Sequence, residues 1–256
     1  KNQIIYQVFA RNFTKEGTFC AFNEHINYIK NLGVDIVYFT PINEIGLIDR
    51  KGDLGSPYSI KDYYKINPEL GTLEDFKSTI NKIHDANMKV MIDVVFNHTS
   101  KDSTLFKEHP EFSLHPKAYK NPTLFRHQLV LDLVNKDARN YVFNELTNIF
   151  DNLKFDYVKW DFNRFLTEGY SESLNKNSKL ETYHKFVLGT YDLLNRFITR
   201  YPNILLETCA SGGGRFDFGM LYYSPQIWCS DETDITQRVN IQYATNLFYP
   251  LSTIGA

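Results

Sequence analysis

In the run Phe155-Asp-Tyr-Val-Lys-Trp-Asp161, the two-residue alternation of a strand places Tyr157, Lys159 and Asp161 on one face, with Val158 and Trp160 on the other. A strand that packs apolar groups outward and ends in charged groups inward fits the wall of an α/β barrel, where chemistry sits at the C-terminal strand ends. The same parity groups Met91, Asp93 and Val95, then Leu205, Glu207 and Cys209, then Ile227, Cys229 and Asp231. Four strands would thus bring polar groups to one mouth.

Working outward, short β-branched or aromatic runs alternate with longer amphipathic stretches along the chain. Strands are expected at Ile4–Phe9, Val34–Thr40, Lys89–Val95, Phe155–Asp161, Asn203–Thr208, Gln226–Asp231 and near Ser252. Helical periodicity marks Phe22–Leu32, Leu73–Ala86, Asp137–Leu153, Leu180–Tyr201 and Ile235–Leu247. The expected fold is a (β/α)8 TIM barrel, incomplete at the C-terminus with about seven strands, forming a single domain over residues 1–256. Residues 97–128 form a long polar stretch with weak periodicity, expected as a lid or binding loop.

With 43% hydrophobic and 23% charged residues, the 256-residue chain has the composition of a globular protein that buries a sizeable core. A formal net charge of -2 with scattered basic residues argues against nucleic-acid and membrane partners and suits a neutral substrate. The 17 Tyr and 20 Phe fit a sugar-stacking surface, but a large aromatic core is the stronger expectation. Cys20, Cys209 and Cys229 lack the spacing of a disulfide framework, zinc site or redox pair, which implies a reducing, cytoplasmic compartment. No metal or organic cofactor is expected, and an oligomer is compatible with the sequence. The chain opens on a strand at Lys1 without Met and ends within another, the pattern expected of a fragment.

Retaining cleavage of a glycosidic bond needs two carboxyl groups, one to attack the anomeric carbon and one to protonate the leaving oxygen, about 5–5.5 Å apart. Asp161 beside Lys159 is the candidate nucleophile, and the lysine is expected to keep it ionised. Asp231 and Glu207 are both candidates for its partner, and spacing alone does not choose between them. Any one strand-end carboxylate more often caps a helix or pairs with a lysine. Several on one face with a central lysine shift the balance toward catalysis. A Lys159 Schiff-base aldolase or lyase is a rival, weakened because the nearby carboxylate would hold the amine protonated. A degenerate carbohydrate-binding barrel is another.

Two stretches carry family resemblances. Gly55-Ser-Pro-Tyr-Ser-Ile-Lys-Asp-Tyr-Tyr64, Ile66-Asn-Pro-Glu-Leu-Gly-Thr72 and Asp93-Val-Val-Phe-Asn-His98 resemble glycoside hydrolase family 13, the α-amylases, over about residues 4–112. That resemblance implies a sugar-stacking role for Tyr58, hydroxyl binding by His98 and structural support from Asp93. From about Phe112 onward, Arg126-His-Gln-Leu-Val-Leu-Asp132, Tyr157-Val-Lys-Trp-Asp-Phe-Asn-Arg164, Glu207-Thr-Cys-Ala-Ser-Gly-Gly-Gly-Arg-Phe-Asp217 and Trp228-Cys-Ser-Asp-Glu-Thr-Asp234 resemble family 36, the microbial α-galactosidases. This implies a retaining hydrolase of α-linked sugars, with Asp161 as nucleophile and Asp231, rather than Glu207, as acid/base. It also implies sugar contacts from Lys159, Cys209, Gly212 and Arg126. Three features depart from these families: the early Asp-Asp-Gly-Trp motif of family 36 is absent, its tryptophan on the third strand is absent too, and Lys159 stands where the amylases have arginine. An oligosaccharide or other α-glycoside is the implied substrate.

Overall fold

Seven short strands pair in strict chain order into one parallel sheet. They are β1 (Ile5–Val8), β2 (Ile36–Phe39), β3 (Lys89–Val94), β4 (Tyr157–Asp161), β5 (Leu205–Cys209), β6 (Gln226–Trp228) and β7 (Ile254–Gly255). A computed structural model describes residues 3–119, 122–162 and 165–255. Within them the sheet is a curled, unclosed barrel, with β1 and β7 at its two edges. All seven expected strands are present, each within a few residues of its expected place. Asn163 and Arg164, the end of one family motif, lie outside the described residues.

Four long helices form where the periodicity puts them: α1 (Leu73–Asp85), α2 (Lys136–Asn152), α3 (Thr182–Arg200) and α4 (Ile235–Asn246). Thr72 starts α1 with a reciprocal capping box: its hydroxyl accepts from the Asp75 amide, and the Asp75 carboxylate accepts from the Thr72 amide. Asn135 and Asp234 cap α2 and α4. The expected helix over Phe22–Leu32 is instead two short ones, Phe19–Asn23 and Ile26–Asn31, because the Glu24 and His25 amides bond three residues back, to Ala21 and Phe22, and tighten the chain into a turn between them. Both pieces still bury their apolar faces through Phe19, Phe22, Ile26 and Ile29.

Aromatic rings fill the layer between helices and sheet. Phe19 and Phe76 lie 4.7 Å apart, Phe22 and Phe39 5.2 Å, and all four are fully buried. Burying one such side chain contributes about 1.5–3 kcal/mol. These phenylalanines belong to the core. Inside the barrel a smaller cluster of Ile36, Tyr38, Met91 and Tyr157 fills the bottom.

The stretch expected as a lid or binding loop, residues 97–128, is anchored at both ends. His98–Ser100 pairs antiparallel with Gln128–Val130, pinning both ends of the excursion together. Between them Leu105, Phe106, Phe112 and Leu114 are buried against the main core. Through these residues the described part of the excursion packs on the core. A second antiparallel pair, Asn43–Ile45 with Ile60–Ile66, carries Tyr58 toward the barrel mouth. Among the described residues, no helix is long and apolar enough to cross a membrane.

Candidate active site

The register of the sheet aligns Asp93 of β3 with Lys159 of β4, Lys159 with Glu207 of β5, and Glu207 with Gln226 of β6. These four side chains form one polar row on the inner face, as the parity of β3, β4 and β5 predicts. For β6 the parity runs the other way. Gln226 and Trp228 face inward, while Ile227 is fully buried on the opposite side. The strand also stops at Trp228, so Asp231 reaches the site from the following loop and not as an inward strand residue.

Asp93 is the most enclosed member. Its Oδ2 accepts hydrogen bonds from Tyr38 Oη at 2.7 Å and Tyr58 Oη at 2.8 Å, and meets Lys159 Nζ at 3.4 Å. Lys159 also donates to Tyr38 Oη at 3.0 Å. Burial pushes the Asp93 carboxyl up to about 7, opposed by Lys159 and reinforced by Asp161. Burial works against the Lys159 charge as well. The carboxylates around it, Asp93 first and then Asp161 and Glu207, outweigh that cost and hold its pKa above the ordinary lysine value. The amine is therefore kept as an ammonium, which is unsuited to forming a Schiff base.

Glu207 is buried and accepts from Tyr157 Oη at 2.9 Å, and the same phenol touches Gln226. Burial raises its carboxyl, with Lys159 acting against the shift. Asp161 closes β4 opposite Cys209, is 1% exposed, and has the Cys209 thiol within hydrogen-bonding reach. Burial first and Asp161 second raise the Cys209 thiol. Arg215 ties the ends of β4 and β5 together, its Nη2 donating to the carbonyls of Trp160 and Cys209, each at 3.0 Å.

A cavity of about 540 Å³ lies along this inner face. Tyr38, Tyr58, Lys159, Glu207, Trp228 and Asp231 are among the residues lining it. Asp231 is exposed there and accepts from the Trp228 indole Nε1 at 3.0 Å. Asp161 does not itself line the cavity; it sits beside residues that do.

The other expected site residues are placed as follows. His98 is fully buried, its ring 5.9 Å from Phe162, and takes no part in the cavity wall. Arg126 is exposed at the tip of a turn in which it and His127 both have positive φ, linking Phe125 to Gln128; it does not line the cavity. Gly212 faces protein: a Cβ there would lie 2.7 Å from Ser230 Cα, so the glycine makes room for the loop that carries Asp231. Tyr38, Arg215 and Gln226 were not singled out by the sequence reading. A tyrosine amid the apolar Ile36–Phe39 run was the available signal for Tyr38; Arg215 gave none, since it works through backbone carbonyls.

Solved structures of glycosidases share this incomplete parallel barrel. An α-galactosidase from Lactobacillus brevis superposes with a TM-score of 0.86 at 31% identity, over 100% of this chain and 33% of its own. The chain belongs to the melibiase family, whose match runs over residues 56–256. α-Galactosidase Mel36A of Lactobacillus acidophilus is 40% identical over 243 residues, 93% of this chain and 32% of that protein. The chain thus spans about a third of the length of these relatives. The melibiase match begins inside the stretch that resembles the α-amylases and takes in Tyr58, Asp93 and His98. An α-amylase from Lactobacillus plantarum shares the fold at a TM-score of 0.77 and 28% identity, covering 97% of this chain and 60% of its own.

Proposed function

We propose that the chain carries the catalytic centre of a retaining α-galactosidase, with Asp161 as nucleophile and Asp231 as general acid and base. Asp161 attacks the anomeric carbon while Asp231 protonates the departing oxygen. Asp231 then takes a proton from the water that releases the sugar, giving net retention. Lys159, Tyr58 and Glu207 form the wall around the sugar, and the substrate is an α-galactoside, simple or within an oligosaccharide.

The observation that carries this reading is the contrast between the two candidate acids. Glu207 lines the cavity but is only 5% exposed, held by Tyr157 and faced by Lys159. Asp231 stands exposed on the cavity wall, where it accepts from the Trp228 indole and a leaving group can meet it. Membership of the melibiase family supports galactose as the sugar. The Tyr58–Asp93 pair, in the segment resembling the α-amylases, supports an α-glucoside as the second reading.

The test is hydrolysis of 4-nitrophenyl α-galactoside and α-glucoside by the full chain, with NMR detection of the first-formed anomer. We expect galactoside cleavage with retention, reduced at least about a hundredfold in Asp161→Ala and Asp231→Ala. An inverted product, or activity indifferent to Asp161→Ala, would overturn it. Glucoside cleavage favours the second reading, and sugar binding without hydrolysis indicates a binding barrel.

A further inference from the structure

Asp231 lies in a loop, between the end of β6 at Trp228 and the start of α4 at Ile235. General acid catalysis requires the carboxyl to stay within hydrogen-bond reach of the leaving oxygen, and a loop does not guarantee that by itself. What fixes the loop is a side chain from the helix that follows it.

Arg238 of α4 turns back over this segment. Its Nη1 donates to the carbonyl of Ser230 at 2.6 Å and approaches that of Glu232 at 3.5 Å, the two residues flanking Asp231. Its Nη2 donates to the carbonyl of Gly255 at 2.8 Å, anchoring the loop to β7. The guanidinium also lies over the Trp228 ring, with Cζ 4.2 Å from its centroid. The same indole gives its N–H to Asp231 at 3.0 Å. Arg238 therefore acts on Asp231 by two routes: it holds the backbone on both sides, and it fixes the plane of the ring that aims the carboxylate. α4 in turn is held by Asp234, whose side chain accepts from the amides of Thr236 and Gln237. A planar guanidinium can serve carbonyls along its edge and an aromatic ring on its face at once, which an ammonium cannot.

We propose that Arg238 is a positioning residue for the general acid, setting the reach of Asp231 toward the leaving group without touching the substrate. The proposal rests on the reading of Asp231 as that acid.

The readout is leaving-group dependence. Phenyl α-galactoside needs its departing oxygen protonated, whereas 2,4-dinitrophenyl α-galactoside departs as a stable anion without help. In the full chain, Arg238→Lys and Arg238→Gln are expected to slow the phenyl substrate about ten- to a hundredfold, a loss at least about tenfold larger than on the dinitrophenyl substrate. Acrylamide quenching of Trp228 fluorescence should rise in step, read against the buried Trp160. Arg238→Lys keeps the charge and serves if the glutamine variant does not fold. Equal losses on both substrates, or no loss on either, overturn the proposal when Asp231→Ala is itself selective for the phenyl substrate. The comparison is made in kcat/KM, which leaves out the second step where Asp231 acts as base; if Asp231→Ala lowers it alike on both substrates, the general-acid reading fails and the proposal falls with it.

Discussion

Tyr58 donates its phenolic hydrogen to Oδ2 of Asp93 at 2.8 Å, across a junction between an outlying antiparallel pair and the inner face of the barrel. The bond fixes the Tyr58 ring at the cavity wall and helps to keep Asp93 charged against its burial. Tyr58→Phe keeps the ring and removes the donor, leaving Tyr38 and Lys159 to serve that oxygen. We expect a stability loss of about 1 kcal/mol in urea titrations. The kcat/KM on the preferred glycoside should fall further than that small loss of folded protein explains. A variant with unchanged kcat/KM would mean that this bond does not shape the site.

Lys159 faces three acidic neighbours, Asp93, Asp161 and Glu207. Lys159→Met fills a similar volume and removes the only one of these charges that is positive. Breaking a buried ion pair on one side costs about 3–5 kcal/mol, because the remaining charge is left uncompensated. The expected loss at neutral pH should shrink toward pH 5, as Asp93 and Glu207, whose carboxyls burial already raises, take up protons. Melting temperatures of wild type and variant at both pH values check this. A deficit that does not depend on pH would assign the role of Lys159 to packing of its stem.

Away from the site, Glu145 of α2 is buried, and burial first and Asp62 second push its carboxyl up to about 7. Asp62 has Lys65 3.3 Å away, but among the described residues no cation pairs with Glu145. The native state thus holds this proton more tightly than the unfolded chain, where glutamate titrates near about 4.3. Its contribution to stability is full below that value and is lost as pH rises through about 7. Glu145→Gln mimics the protonated form. It should match wild type at pH 4 and exceed it at pH 8 by on the order of 1 kcal/mol. Equal stabilities at pH 8 would count against the raised carboxyl.

The four long helices and strands β1 to β5 were legible because each carries its pattern over four residues or more, and the strand–helix alternation of the whole chain placed the shorter β6 and β7. The two antiparallel pairs were not. Asn43–Ile45 and His98–Ser100 are three residues each, too short to display an alternation, and their partners are distant in the chain. Within the site, parity found Asp93, Lys159 and Glu207 because these lie on regular strand. It failed for Asp231, since β6 ends three residues earlier and a loop has no parity to read. Arg126 and His98 sit in motifs whose spacing says nothing of burial, and the fold leaves one exposed at a turn and the other enclosed.

Gly33 and Gly212 separate two costs that a glycine can hide. Both have positive φ, +81° and +84°, where a side chain adds about 1–2 kcal/mol of backbone strain. A Cβ at Gly33 meets nothing within 4 Å, so Gly33→Ala should cost that strain alone and leave catalysis as it was. At Gly212 the added carbon would lie 2.7 Å from Ser230 Cα and 3.2 Å from the Asp231 amide, both backbone atoms that cannot swing aside. Gly212→Ala must therefore push the Asp231 loop outward or lift the β5 turn from it. In either case the seating of the Asp231 loop against β5 is lost, while Asp161, at the end of β4, is not touched by the added carbon. We expect Gly212→Ala to lose activity on phenyl α-galactoside by about tenfold or more beyond its stability loss, with Gly33→Ala as the control. Equal activity in the two variants would show that the close approach of Gly212 to Ser230 does not set the position of Asp231.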